Sequence, residues 1–145
     1  MPATANKLVW ENMRDKLKAM GGATNAVIGE PSTAMQSGLV SIIPESGQID
    51  ETVLNAAREK HVVTLRRYEN ALQEPAELIE SKLDAWRAEI QEDLFGDFDL
   101  GGTMGYLLPT EMPWAYGYVT VENTLYRFLD LTISYRVDPA AVFVA

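Results

Sequence analysis

Between Pro75 and Phe95, the residues Ile79, Leu83, Trp86, Ile90 and Leu94 recur at intervals of four, three, four and four. Only a helix brings positions so spaced onto one face, and charged residues fill the other face. The chain must therefore fold around a long amphipathic helix that rests on an apolar surface. Burying such a stripe is worth roughly 1.5–3 kcal/mol per large side chain before entropy is subtracted. Pro75 suits the first turn, and Gly96 suits the left-handed position after the last.

The surface that receives this helix is legible further on. In 125–138, Leu129, Leu131, Ile133, Tyr135 and Val137 alternate with Asp130, Thr132, Ser134 and Arg136, the pattern of a half-buried strand. "ENT" (122–124) reads as a tight hairpin turn joining it to the strand "WAYGYVTV" (114–121), and "TMGYLLP" (103–109) is a further strand. Earlier, Val9, Met13, Leu17 and Met20 predict a first helix over Asn6 to Met20, with Asn6 as N-cap and Gly21–Gly22 as terminator. "NAVIGEP" (25–31), "GLVSIIPE" (38–45) and "HVVTLRRY" (61–68) read as strands, the second stopped by its proline. Ser46 to Lys60 reads as an excursion in which Asp50 caps a short helix carrying Val53, Leu54 and Ala57. The whole, 1–145, is expected to be one α+β domain: a mostly antiparallel sheet packed by two main helices, with 46–60 a possible insertion and 139–145 a C-terminal tail.

The net charge of −9 disfavours unassisted nucleic-acid binding, because phosphate contacts need a basic face. Seven of those nine charges come from 74–99, where nine acidic residues face only Lys82 and Arg87. A solvated helix face explains this run; a surface that repels DNA or meets a basic partner is the sharper reading. With no cysteine there is no disulfide framework or thiol nucleophile, which fits assembly in a reducing cytoplasm. No apolar run reaches membrane-spanning length, so no membrane association is expected. "MPATANKLVWENMRDKL" meets charge too early for a signal-peptide apolar region.

Candidate chemistry is sparse. His61 is the lone histidine; it opens a strand and cannot supply a two-histidine metal site. "LFGDFDLGGTMG" (94–105) sets Asp97 and Asp99 in a glycine-rich turn. Read as a calcium loop from Asp97, it has Gly101 at the fifth position and Leu108 at the twelfth, where oxygen ligands are required. The stretch reads instead as a corner between helix and strand, with Phe98 plugging it against the core. No catalytic residue, metal or cofactor is expected. Trp114, Tyr116 and Tyr118 share one face of a strand, either as core or as interface anchors. The apolar "AAVFVA" after Pro139 cannot pack as a regular element of its own: it is either disordered or docked, with a neighbouring subunit the favoured dock.

The order of these parts resembles that of the tail terminator proteins of long-tailed, non-contractile bacteriophages. The resemblance rests on "HVVTLRRYENALQEP", the acidic helix "AELIESKLDAWRAEIQEDL", "FGDFDLGGT" and "YGYVTVENTLYRFLDLTISYRVD", and it covers most of the chain. It implies a structural virion protein with no active site. Such proteins form a six-fold homo-oligomeric ring that caps the tail tube, ends its polymerisation and joins it to the neck of the head. It further implies assembly in the host cytoplasm, partners in the major tail tube protein and a neck protein, and passage of DNA without specific binding. Another head–tail completion protein, a neck adaptor or stopper, is the alternative. Interface residues expected on this basis are Glu30, Ile49, Val53, Leu54, Trp114, Tyr116, Tyr118, Val142 and Phe143.

Overall fold

The computed structural model describes residues 5–18, 20–53, 56–97, 105–109 and 111–137. In chain order the elements are α1 (Ala5–Leu17), β1 (Asn25–Ile28), β2 (Leu39–Val53), β3 (Ala56–Asn70), α2 (Ala76–Gly96), β4 (Gly105–Leu107), β5 (Trp114–Val121) and β6 (Thr124–Val137). The strands form one sheet in the order β1-β2-β3-β6-β4, and β5 occupies the same border as β4, pairing further along β6. β1 runs parallel to β2, and every other pair is antiparallel, so the domain is α+β.

Both helices lie on one face of this sheet. Val9, Met13 and Leu17 of α1 and the five-residue stripe of α2 meet Ala26, Val40, Ile42, Val63, Leu65, Leu129, Leu131 and Ile133 in one core. Trp86, Leu83 and Leu129 are wholly buried, so the anticipated helix stripe is the centre of the molecule. A smaller cluster of Leu39, Tyr68 and Tyr126 forms on the opposite face under the 30–38 loop, where Met35 N–H donates to Tyr126 Oη at 3.0 Å.

A buried ionic clamp ties the loops to the sheet. Arg67 and Glu69 are each only 3% exposed, and Arg67 donates to Glu69 Oε1 from Nε at 3.0 Å and Nη2 at 2.8 Å. Arg67 Nη1 also donates to the Gly21 carbonyl in the 3-10 turn Met20–Gly22, and Ser37 Oγ donates to Glu69 Oε2. Gly21 has a φ of +59° and no room for a side chain, because a Cβ there would lie 2.8 Å from Trp86 Cδ1.

Several expectations fail in instructive ways. Ser46 to Lys60 is neither an excursion nor a helix: β2 and β3 continue through it as one hairpin, with Val53 paired to Ala56, while Leu54 lies outside the described residues. Three apolar residues make less than two turns of helix, and they lose to a ladder already nucleated by the β-branched 61–65 segment. Pro44 does not stop β2; it sits at a register shift beyond Ile42, where β1 no longer covers the strand and an edge proline is tolerated. His61 consequently lies inside β3, between Gly47 and Tyr135, and does not open a strand. α1 already includes Ala5, so Asn6 is not its N-cap; its side chain instead accepts a hydrogen bond from Tyr135 Oη. Gly96 is the last helical residue and not a left-handed cap, and Asp97 follows it, its N–H donating to Leu94 O at 3.1 Å. The hairpin turn is tighter than "ENT": Val121 pairs with Thr124 across Glu122 and Asn123, whose φ values of +48° and +64° suit the twist of the strands.

Candidate functional site

β5 is where the chain spends its most interaction-prone side chains. The two-residue turn fixes the register, so Trp114 stands opposite Leu131, Tyr116 opposite Leu129 and Tyr118 opposite Arg127. These three aromatics therefore point to the same face as α2. They are not core: Trp114 is 48%, Tyr116 38% and Tyr118 61% exposed. Of the two roles left open by their alternation, a place in the buried core is thus ruled out.

Gly117 allows this strand to lie flat. A Cβ at that position would meet the Phe128 ring at 2.5 Å, so the ring lies across the glycine on the face opposite the aromatic row. Phe128 in turn stacks under Arg66, whose guanidinium carbon is 4.0 Å from the ring centroid.

Arginines from neighbouring elements cover part of the aromatic row. Arg87 of α2 lies 4.3 Å from the Trp114 ring, and Arg127 of β6 lies 4.5 Å from Tyr118 and 5.2 Å from Tyr116. Both guanidiniums are anchored from behind: Arg127 Nε donates to Glu80 at 2.7 Å, and Arg87 Nη2 donates to Asp84 at 2.8 Å. Such stacking is worth about 0.5–1 kcal/mol at an exposed site, but it also holds five side chains in fixed positions. Partial burial, then the Asp84 carboxylate, pushes the Tyr116 hydroxyl above the usual tyrosine range. The patch continues past Trp114 into a groove lined by Phe95, Met112 and Pro113. Phe95 is 58% exposed.

The other anticipated contact residues are scattered. Glu30 is exposed and lies 3.6 Å from Arg66 Nη1, on the side of the sheet opposite the helices, where Arg66 also forms a two-pronged pair with Asp130 at 2.6 and 2.9 Å. Ile49 is 62% exposed on the β2–β3 hairpin, and Val53 is near its tip. Val142 and Phe143 lie outside the described residues, as do Phe98 and Asp99. Asp97 is held in an ion pair with Lys16 of α1, which also reaches Asp93 at 3.3 Å. The acidic corner therefore fastens the two helices together. Among the described residues no group of three or more His, Cys, Asp or Glu side chains could hold a metal ion, and no helix is long and apolar enough to cross a membrane.

Arg87 and Arg127 were not anticipated as part of this surface. Arg127 could have been placed from the hairpin register, since a two-residue turn at 122–123 sets residue 127 opposite 118. Arg87 could not, because its place depends on how α2 crosses the sheet. Tryptophan, tyrosine and arginine together are the composition of energetically dominant interface residues, so the geometry suits protein–protein contact. No protein-family model matches the chain, and comparison with curated proteins gives no match.

Proposed function

We propose that the chain is a structural ring protein that caps a phage tail tube, ends its growth and joins it to the neck. The reading starts from the succession of segments that resembles the tail terminators. The observation that carries it further is the exposed row Trp114, Tyr116 and Tyr118, braced by Arg87 and Arg127 at the border of the sheet. A row so constructed costs solubility in an isolated chain and is explained by burial against another subunit. The acidic outer surface of α2 fits the same role, because a basic ring would retain the DNA that must pass through it.

Purified protein added to tail tubes is the direct test. Rings located at one tube end in electron micrographs are expected, together with an end to further tube growth. Protein that leaves the tubes bare and elongating overturns the proposal.

A further inference from the structure

Among the described residues, the strands with an unpaired border include β1, the part of β2 beyond Ile42, the three-residue β4 and β5. An unpaired strand edge invites pairing with another chain, and proteins blunt such edges with proline, charge and bulges. The β2 edge is blunted in all these ways. It carries Pro44, Glu45, Asp50 and Glu51, and its register shifts between Pro44 and Ser46 and again between Ile49 and Glu51.

β5 has none of these devices. Its eight residues, Trp114 to Val121, include no charge, no proline and no register shift. Pro113 O accepts from Thr132 N, so the alternation of an antiparallel ladder turns the amides of Trp114, Tyr116, Tyr118 and Thr120 away from β6, towards the open edge. β1 is equally uncharged over Asn25–Ile28. Gly29 N donates to Ile42 O, so Ile28 and Ala26 present their amides outward. The Ala26 amide is provisionally met by the Asn25 side chain at 2.9 Å, a local bond that an incoming strand can replace.

We propose that the open edge of β5 pairs with β1 of a second copy of this chain, which makes one sheet continuous between subunits. This rests on the ring reading, because β5 against β1 is a head-to-tail contact that repeats until it closes, whereas β5 against β5 stops at a dimer. Charge is compatible with the same surfaces. Each copy carries −9, much of it on α2, so two copies approach more favourably where the meeting strands carry no charge of their own, and at β5 the nearby Arg87 and Arg127 are each paired with a carboxylate. The helix-side residue at the β1 border, Ile28, is 36% exposed and would be carried towards the aromatic row.

Sedimentation of the full chain tests the contact. The wild type is expected as a closed oligomer that forms more readily as salt rises, since screening weakens the repulsion. Tyr118→Lys at β5 and Ile28→Lys at β1 should each give monomers with unchanged circular dichroism, and Thr120→Lys replaces Tyr118→Lys if the latter unfolds. An equimolar mixture of a β5 variant with the β1 variant should give a dimer and nothing larger, because only one intact contact remains available. A wild type that stays monomeric at every concentration, or an Ile28→Lys variant that assembles as the wild type does, overturns the proposal. Tube capping is scored separately. Rings that need both edges yet ignore tubes support the contact and refute the tail role, while edge variants that still form rings on tubes refute the contact and leave the tail role standing.

Discussion

Glu69→Ala removes the acceptor from the clamp that joins the 3-10 turn, the loop before β2 and β3. In the wild type Arg67 gives Glu69 two hydrogen bonds, at 3.0 and 2.8 Å, and both residues are 3% exposed. Without Glu69 the guanidinium stays buried with, among the described residues, the Gly21 carbonyl left to accept from it, and Ser37 loses the Glu69 acceptor. Breaking a buried pair from one side costs about 3–5 kcal/mol, a large part of the roughly 5–15 kcal/mol that holds a domain of this size together. Urea denaturation followed by tryptophan fluorescence, with Trp86 beside Gly21 as the reporter, should show the midpoint falling with little change in slope. Glu69→Gln keeps the shape and an acceptor oxygen and should lose about half as much. The double variant Arg67→Met with Glu69→Leu removes both buried charges and should recover most of the stability, because apolar replacement of a whole buried pair is often neutral or better. If Glu69→Ala costs less than about 1 kcal/mol, the pair is not buried as described and the reasoning fails.

Gly117→Ala should destabilise the domain by about 1–3 kcal/mol, as expected for overpacking, since its Cβ would fall 2.5 Å from the Phe128 ring; an unchanged melting temperature would contradict that contact. Tyr135 is buried and its hydroxyl is held well above the ordinary tyrosine range by that burial, so the folded state favours the neutral form. Its contribution is complete below about pH 10 and is lost as the pH rises further; Tyr135→Phe should flatten the alkaline limb of a stability–pH curve, and an unaltered limb would refute the assignment. Trp114→Ala should leave the fold intact and weaken assembly by about 30-fold or more, the loss typical of a dominant interface residue, as read by concentration-dependent sedimentation.

Much of the architecture was legible because periodicity reports on the face a side chain shares. The stripe Ile79, Leu83, Trp86, Ile90 and Leu94 became the buried face of α2, and the alternation 129–137 became the core face of β6. The hairpin at 46–60 was not legible, because Gly47, Asp50 and Glu51 are poor strand residues locally. Gly47 nevertheless pairs with His61, in a strand held on its other side by β6 from Glu59 to Asn70, while Asp50 falls at a register shift and Glu51 pairs with Arg58 just beyond the reach of β6. The clamp of Arg67, Glu69, Ser37 and Gly21 was equally hidden, since its members are 16 to 48 positions apart or sit within a strand pattern that assigns them no partner.

Alternation placed Trp114, Tyr116 and Tyr118 on one face but could not say whether anything covered that face. The answer lies in widths. Strands stand about 4.8 Å apart and a packed helix occupies about 10 Å, so two helices cover roughly four strands. Where β5 lies, the sheet is five strands wide, in the order β1-β2-β3-β6-β5. One border strand must go uncovered, and the chain has put large aromatics and tethered arginines there where small or charged residues would have sufficed for solubility. The helix count that leaves the row exposed is set by the sequence, and so is the chemistry of the row; together they leave the border of β5 as the surface that the proposed subunit contact would cover.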